Sequence, residues 1–304
     1  MKHNVLIDGT MILYGVMSVN KEDYNIDSEY IGGVTGTLKQ IGGIINYLSP
    51  DKVFVTFDVD RSAHRLKLYP HYKAGRHTKI ADDLRARYEY KLIHTSLLKI
   101  LLPTLGCYVL THPETEADDV IANFVGQSKH YTTIVSTDRD FIQLIDSKTR
   151  LYRPVTSQMI DVDNVDEFLG YSHAYNVAVK IICGDKSDNI PGIMGIGEKT
   201  AIKIFNAAGG CTPELVLEYA KNELAVPKSK FRFAKDVVSF IESSGWELNR
   251  RLMDLKDGPK FKIEMPTIEP NHNEAIQLLN DIGIGHIWDE ETTYYSLAPY
   301  QNLY

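Results

Sequence analysis

Four apolar runs rich in β-branched residues alternate with helical patterns in the first half of the chain, and this alternation constrains the fold most. The runs cover residues 3–7, 52–57, 107–110 and 132–135. Strands separated by helices are typical of a parallel sheet covered by helices on its faces. The sequence therefore predicts an α/β fold with a mostly parallel sheet.

A helical pattern begins at Asp82 and ends before Gly106, and beyond about residue 165 the strand signals fade. The remainder is mostly helical in pattern, with breaks rich in glycine and proline. We therefore expect two domains, an α/β domain over residues 1–168 and a helical domain over residues 169–304.

Composition narrows the class of protein. Of the 304 residues 43% are hydrophobic, and no apolar run approaches the length that spans a membrane. The N-terminal residues lack the long apolar stretch and the cleavage site of a signal peptide, so we expect a cytoplasmic protein. The three cysteines are far apart and form no CxxC pair, which argues against a disulfide framework and a zinc cage.

The net charge of −7 hides an uneven distribution. Residues 61–79 contain six Lys or Arg and three His but no Asp or Glu, and residues 227–235 form a second basic stretch. A charge run taken alone is usually a solvated surface. Because local fields matter more than the average, a nucleic-acid partner stays open.

Three of the predicted strands run directly into an aspartate: Asp8, Asp58 and Asp138. In an open α/β sheet, ligands bind outside the carboxyl ends of the strands, so these side chains should converge on one crevice. A single aspartate after a strand is more often a turn or helix-cap residue. The interpretation as a site therefore depends on further acids nearby.

Six further acids lie in short clusters downstream: Glu116, Asp118, Asp119, Asp140, Asp185 and Asp188. So many carboxylates lie close together only when cations neutralise their charge. Oxygen ligands without Cys or His indicate a hard cation such as Mg²⁺ or Mn²⁺. A pair of such ions suits the hydrolysis of a phosphodiester bond.

A glycine-rich segment precedes a predicted helix that starts near Glu198. Its glycines are Gly192, Gly195 and Gly197. Glycines at a helix N-terminus let backbone N–H groups approach a phosphate, and Lys199 and Thr200 can add contacts. The spacing departs from a P-loop and from a dinucleotide fingerprint, so a hairpin that grips a DNA backbone is favoured over an ordinary turn.

The chain resembles the 5′-nuclease family in successive motifs: VLIDGT, FDVDRSAHR, PHYKAGR, ETEADDVIA, STDRDFIQL and GDKSDNIPGIMGIGEKTA. This family includes flap endonucleases, bacteriophage 5′–3′ exonucleases and the N-terminal nuclease domain of bacterial DNA polymerase I. The resemblance implies a PIN-like fold and structure-selective 5′–3′ exonuclease and flap endonuclease activity on DNA, in replication or repair. The motifs run from Asp8 to about Ala208, without a polymerase domain, as in a stand-alone phage or bacterial enzyme.

The resemblance also implies ligands for two Mg²⁺ or Mn²⁺ ions. The first ion would be held mainly by Asp8, Asp58, Glu116, Asp118 and Asp138. The second would be held, directly or through water, by Asp140, Asp185 and Asp188. Asp119 occupies a matching acidic position.

By the same resemblance, residues 61–102 form or adjoin a helical arch around the 5′ strand. Tyr72 would stack on a base, and Lys73 would act as an electrophile on the scissile phosphate. Arg65 and Arg76 would hold flanking phosphates.

Lys180 resembles a DNA-contacting lysine, and a helix-hairpin-helix over about residues 180–208 would grip the duplex and can carry a K⁺ ion. The expected partner of this monomer is DNA with a free 5′ end, at a flap, a nick or a duplex end. RNA–DNA hybrids and replication proteins stay open as partners, in a bacterial or phage-infected cytoplasm.

Two features fall outside the family pattern. Arg139 stands where some members have a small residue, and it would narrow access to the metals or add a phosphate contact. We interpret the three histidines of the basic segment, His64, His71 and His77, as surface residues, because an all-carboxylate site leaves them no metal to bind.

Three alternatives compete with a DNA nuclease. A haloacid-dehalogenase-type phosphatase needs two aspartates separated by one residue, and Leu6 and Thr10 flank Asp8 at that spacing, which excludes it. A non-catalytic structure-selective DNA-binding protein would not need the intact set of acids. A nuclease acting mainly on the RNA of RNA–DNA hybrids stays open, because backbone contacts and metal chemistry do not by themselves register the 2′-hydroxyl.

Overall fold

The computed structural model describes residues 1–20, 24–74, 82–285 and 297–303, with the backbone alone over 82–88. Its main sheet has six strands: β1 (His3–Asp8), β2 (Lys52–Thr56), β3 (Tyr108–Leu110), β4 (Tyr131–Val135), β5 (Thr149–Arg153) and β6 (Gln158–Ile160). Their order is β3-β2-β1-β4-β5-β6, with parallel pairing except between β5 and β6. The predicted α/β fold is confirmed, and β5 and β6 extend the sheet beyond the four predicted strands.

Helices cover both faces of this sheet. Those of the first half are α1 (Gly9–Val19), α2 (Gly32–Leu48), α3 (Ala63–Leu68), α4 (Asp82–Thr104) and α5 (Ala117–Gln127). On β1, Val5 and Ile7 belong to one apolar core, with side chains of α1, α2 and α4, whereas Leu6 belongs to a second core with side chains of α5. Because successive strand residues point to opposite faces, a sheet buried on both faces needs such a continuous apolar strand.

The second half is helical, as predicted. It contains α6 (Val165–Leu169), α7 (Asn176–Cys183), α8 (Glu198–Ala208), α9 (Pro213–Ala225), α10 (Ala234–Glu242), α11 (Gly245–Met253), α12 (His272–Asp281) and α13 (Ala298–Gln301). A third apolar core includes Ile182 of α7, Phe205 of α8 and Trp246 of α11. Within the described parts of the chain, every helix is too short or too polar to cross a membrane.

The last two helices return to the first half of the chain. Leu279 of α12 and Tyr300 of α13 lie in the first core, and the Tyr300 hydroxyl donates to the carbonyl of Leu38 at 2.7 Å. The end of the chain therefore packs against α2, while the division into residues 1–168 and 169–304 stays a prediction.

A two-stranded hairpin, β7 (Gly184–Asp185) and β8 (Ile190–Pro191), joins α7 to α8. Gly184 has a φ of +72°, and a Cβ added to Gly192 would lie 2.1 Å from the carbonyl carbon of Cys183. No side chain fits into such a close backbone contact. These two glycines therefore allow the hairpin to close.

Candidate active site

The strand order reverses between β1 and β4, because β2 and β3 lie on one side of β1 while β4 and β5 lie on the other. Such a switch point opens a crevice at the carboxyl edge of a parallel sheet. Asp8 is the last residue of β1, and Asp138 follows β4 by three positions. Two of the three acids that the sequence predicted for this crevice therefore lie on its two sides.

Ser136 connects these two acids. Its hydroxyl donates to Asp8 Oδ2 at 3.0 Å and accepts from the backbone N–H of Asp138 at 3.1 Å. The other carboxylate oxygen of Asp8 accepts from the N–H of Met11 at 2.9 Å, so Asp8 also caps α1. These bonds fix the orientation of the Asp8 carboxylate.

Asp58 follows β2 and joins the start of α5 to the crevice. Its Oδ1 accepts from the N–H of Ala117 at 2.8 Å, and its own N–H donates to Thr10 Oγ1 at 2.9 Å. Asp118 lies in the first turn of α5, where the helix dipole favours negative charge. The N-termini of α1 and α5 thus both face the carboxylate cluster.

These four carboxylates share one electrostatic field. Burial raises the pKa of Asp8 to about 7, and the charges of Asp58 and Asp138 add to the effect. Burial raises the pKa of Asp118 well above its usual value, with Asp138, Asp8 and Asp58 contributing in that order. The pKa of Asp138 rises to about 6 through burial and the charge of Asp140. Deprotonated together, they would repel each other strongly unless a cation lies among them.

Glu116 lies beside this cluster and is held by three side chains. Lys73 Nζ pairs with its Oε1 at 2.7 Å, and the Tyr72 hydroxyl donates to its Oε2 at 2.8 Å. Arg65 Nη1 lies 3.4 Å from the same Oε2. Although burial alone would raise the pKa of Glu116, Lys73 and Arg65 bring it below its usual value. Glu116 is therefore a buried carboxylate that stays charged.

A second group of acids surrounds Lys180 of α7. Lys180 Nζ is ion-paired with Asp140 and lies 3.9 Å from Asp185 Oδ2. Asp185 accepts from the Ser187 hydroxyl at 2.7 Å, and Asp188 Oδ2 accepts from the Tyr72 hydroxyl at 3.2 Å. The structure thus brings Asp140 and Asp185 around the ammonium group of Lys180. Asp188 is connected to Glu116 through the Tyr72 hydroxyl.

The donor set fits hard divalent cations. Among the described residues, no three acidic, His or Cys side chains already form a ready-made cage, since several carboxylates are held by protein donors instead. Mg²⁺ does not require a cage, because it usually keeps several waters and binds one or two carboxylates together with substrate phosphates. Oxygen ligands with raised pKa values, at the buried Asp8, the half-buried Asp118 and the exposed Asp138, are suited to such an ion.

A cleft of about 720 Å³ opens beside the carboxylates. Its lining includes Asp58, Glu116 and Lys73, together with Tyr14 of α1 and Lys91 of α4. The Tyr14 ring is 48% exposed, and Lys91 Nζ lies 4.5 Å from its centroid. An exposed aromatic ring with a cation above it is a surface on which a nucleobase can stack.

The start of α8 forms the remaining part of the site. Gly197 is its N-cap, no side chain caps the helix, and Lys199 is exposed in the first turn. Thr200 is half-buried there, and Gly195 has a φ of +82°. An uncapped helix N-terminus preceded by glycine is accessible to a phosphate.

Residues 3–170 match the family model described as the 5′-3′ exonuclease N-terminal resolvase-like domain. The match covers more than half of the chain. The chain belongs to this family.

The chain is also similar in sequence to named proteins. DNA polymerase I of Pseudomonas aeruginosa is 29% identical over 280 residues, which cover 90% of this chain and 29% of that protein. A 5′-3′ exonuclease of Buchnera aphidicola is 29% identical over 206 residues, which cover 66% of this chain and 69% of that protein. The chain therefore spans less than a third of the length of the polymerase.

A solved structure shows the same fold. The flap endonuclease of bacteriophage T5, in complex with DNA and metal ions, superposes with a TM-score of 0.66 at 20% identity. The superposition covers 93% of this chain and 94% of that one. The family's fold therefore extends well beyond the matched N-terminal residues.

In this member of the 5′-3′ exonuclease family, Tyr72 does not lie where base stacking was expected. Its side chain is only 2% exposed and belongs to the third core, with the hydroxyl on Glu116 and Asp188. The expected stacking role is wrong for this arrangement, because no face of the ring is open to a base. Tyr14, which the sequence analysis missed, is the exposed ring in the cleft.

Arg65 and Asp119 also differ from expectation. Arg65 is buried, pairs with Asp119 Oδ2 at 2.8 Å and donates from Nε to the Leu252 carbonyl at 2.9 Å. The guanidinium therefore holds α5 against α11 rather than facing a phosphate, and Asp119 serves as its partner rather than as a metal ligand. Arg76, the other expected phosphate contact, lies outside the described residues.

Three further expectations concern side chains near the acids. Lys180, expected on DNA, is instead ion-paired with Asp140. His64 is half-buried, with its Nε2 enclosed and lacking a hydrogen-bond partner, so it is not the surface residue expected, whereas His71 is exposed. His77 lies outside the described residues. Ser136 was missed, although its place directly after β4 was a usable signal.

Proposed function

We propose that this chain is a divalent-metal-dependent 5′-nuclease that hydrolyses DNA phosphodiester bonds near a free 5′ end, as a 5′–3′ exonuclease and flap endonuclease. The observation that carries the proposal is the shared field of Asp8, Asp58, Asp118 and Asp138 at the switch point of the sheet. Family membership and the adjoining basic and aromatic cleft support it.

The acids divide into two groups around the proposed ions. Asp8, Asp58, Glu116, Asp118 and Asp138 would hold the first. Asp140, Asp185 and Asp188 would hold the second, directly or through water. Bound Mg²⁺ or Mn²⁺ lowers the pKa of an attacking water and stabilises charge on the attacking and leaving oxygens.

The chain's own residues position the phosphate. Lys73 Nζ lines the cleft, so it can contact a phosphate as negative charge builds there. Tyr72 and Arg65 hold the Glu116 carboxylate, and the backbone N–H of Lys73 donates to the Asp188 carbonyl at 2.8 Å. This bond fixes the Lys73 backbone beside both acid groups.

Tyr14 and Lys91 are proposed to hold the 5′ strand across the cleft. Stacking of a base on an aromatic side chain contributes about 1–3 kcal/mol per base. Tyr14→Ala should weaken binding of a 5′-flapped duplex by about tenfold, while Tyr14→Phe keeps the ring and the affinity. Tyr131→Ala removes a similarly exposed tyrosine at the opposite edge of the sheet and serves as the control. Equal affinity of the two alanine variants would exclude this role.

The start of α8, with Gly192, Gly195, Gly197, Lys199 and Thr200, is proposed to grip the duplex backbone as a helix-hairpin-helix. A K⁺ ion at this hairpin, a monomeric state, cleavage of RNA–DNA hybrids and contacts with replication proteins remain predictions. Cleavage assays with and without K⁺ test the K⁺ ion, and cleavage assays on matched RNA–DNA hybrids test the activity on hybrids.

Asp138→Asn tests the proposal, because it removes a metal ligand while keeping the side-chain volume. A labelled 5′-flap duplex is incubated with Mg²⁺ or with a chelator, and short products are measured. Wild-type protein and the control Asp163→Asn, at an exposed turn away from the site, should cleave only with Mg²⁺, while Asp138→Asn loses at least about a hundredfold in rate. Cleavage in chelator, or full activity of Asp138→Asn, would refute the proposal.

A further inference from the structure

Arg139 and Arg153 come together on the β5 side of the switch point, whereas the cleft lies on the β2 side. Arg139 directly follows Asp138, and Arg153 is the last residue of β5. Their guanidinium carbons lie 5.6 and 5.3 Å from the centroid of one aromatic ring, that of Phe168 in α6. Two cations therefore lie within 6 Å of one ring at the carboxyl edge of the sheet, beside the acids.

Neither arginine forms an ion pair with a carboxylate among the residues that the structure describes. Arg139 is exposed, and the Nε of Arg153 is enclosed without a hydrogen-bond partner. Two guanidiniums that share one ring and have no carboxylate partner favour an anion that neutralises them. A guanidinium stacked on an aromatic ring keeps a planar set of donors, which matches the oxygens of a phosphate.

The pair lies between the carboxylates and the hairpin. Arg139 is close enough to Tyr171 for its charge to oppose the rise in the pKa of that phenol, which burial and Glu198 cause. The Tyr171 hydroxyl donates to Asn176 Oδ1 at 3.3 Å and lies close enough to Glu198, the first residue of α8, for that carboxylate to raise its pKa. A strand that runs from the acids to the start of α8 would therefore pass beside Arg139.

We propose that Arg139 and Arg153, stacked on Phe168, bind a backbone phosphate of duplex DNA between the metal-site acids and the hairpin. This site rests on the proposed function, since it needs duplex DNA to lie across the carboxyl edge of the sheet. It contacts the side of the substrate opposite Tyr14 and Lys91.

The salt dependence of DNA binding tests the proposal. Binding of a labelled 5′-flapped duplex and of a single strand of the same length is measured in chelator, so that no strand is cut, over a range of KCl concentrations. Each phosphate contact contributes about 0.9 to the slope of log K against log salt for duplex DNA. Arg139→Gln combined with Arg153→Gln should lower the slope on the duplex by about that amount and weaken binding about five- to tenfold at low salt, and each substitution alone should cause part of this change.

Two variants separate a DNA contact from a packing role. Arg150→Gln, on the same strand but at the opposite edge, where its Nε donates to Thr133 Oγ1, should keep the wild-type slope. Arg153→Lys keeps the charge and should keep most of the slope. A change in melting temperature without a change in slope would show that the arginines only pack on Phe168, and would overturn the proposal.

The outcomes separate this inference from the proposed function. Cleavage by the wild type together with unchanged slopes in Arg139→Gln and Arg153→Gln overturns the inference alone. An effect confined to the single strand also overturns it, because the site is assigned to the duplex. Absence of both DNA binding and cleavage in the wild type overturns the proposed function and this inference together.

Discussion

The hydroxyl of Tyr72 joins two carboxylates that lie far apart in the sequence, Glu116 and Asp188. Because the ring is buried, the hydroxyl is a positioning group for the acids, and its removal leaves Glu116 with one donor fewer. Buried carboxylates that lose a hydrogen bond destabilise the folded state.

Tyr72→Phe should therefore lower the free energy of unfolding by about 1–3 kcal/mol. A base-stacking tyrosine would behave differently, since phenylalanine keeps the ring. Urea denaturation in chelator measures the effect, with Tyr14→Phe as the matched control at an exposed ring. If Tyr72→Phe is as stable as the wild type, the assigned hydrogen bonds do not stabilise the fold.

Ser136 positions Asp8 in the same way. Ser136→Ala should weaken Mn²⁺ binding by about 10- to 100-fold, because partners of metal ligands orient them and are costly to remove. Ser18→Ala, at the exposed end of α1, provides the control. Unchanged Mn²⁺ affinity in Ser136→Ala would show that the Asp8 carboxylate does not depend on this bond.

For single residues, the sequence predicts well which acids belong to the site, and it predicts poorly which side chains they contact. Asp8, Asp58 and Asp138 could be predicted because each follows a strand, and parallel strands bring their carboxyl ends to one edge. The burial of Arg65 and Tyr72 could not, because it depends on partners such as Leu252 and Asp188, more than a hundred residues away. The basic segment that contains them looked like a solvated or DNA-facing surface.

Helix α4 contacts α1 and α2, and a buried histidine of α4 is tied to the segment that precedes α2. His94 Nε2 lies 2.8 Å from the Tyr30 carbonyl, and the ring contacts Tyr30 and Tyr90. Burial lowers the pKa of His94 below its ordinary value of 6.5. The folded protein therefore holds this ring neutral at a pH where the unfolded chain would protonate it.

This shift makes the stability of the folded protein depend on pH. Below about pH 6.5 the unfolded chain binds more protons than the folded one, so stability decreases as the pH falls. His94→Gln should show a smaller loss of unfolding free energy between about pH 7 and pH 5 than the wild type. Urea denaturation over this range measures both slopes, and identical slopes would exclude His94 as the cause.

The hairpin between α7 and α8 depends on backbone contact. Gly192→Ala places a methyl group 2.1 Å from Cys183 carbonyl carbon, so it should destabilise the protein by about 2 kcal/mol or more. Gly197→Ala has nothing within 4 Å and should change stability by less than about 0.5 kcal/mol. Thermal denaturation distinguishes them, and equal melting temperatures would contradict the close approach.

Among the elements, four strands and the long helix α4 were predicted within one or two residues, because apolar runs and helical periodicity mark them directly. Strand β5 was missed, since TRLYR places two arginines within five residues. Strand β6 has three residues and lies at the edge of the sheet, which is too short for a pattern. Strand β5 is held by its pairing with β4, and β6 is held in turn by its pairing with β5.

At the scale of the whole molecule, three apolar cores hold the elements that carry the carboxylates. The sheet supplies two of them, and α7 to α11 form the third, which includes Tyr72. The acids of the first group come from the sheet side and Asp185 and Asp188 from the hairpin. The sequence predicted a helical second half but not the return of α12 to α4 and of α13 to α2, because amphipathic helices do not specify their partner.

The central claim is that the carboxylates at the switch point form a binding site for divalent cations. Mn²⁺ binding, followed by the electron paramagnetic resonance signal of the free ion, tests it without any substrate. The wild type and Asp163→Asn should bind about two Mn²⁺ per chain at millimolar or lower concentration, and Asp8→Asn combined with Asp138→Asn should bind clearly less. Equal binding by the double variant, or none by the wild type, would contradict the account.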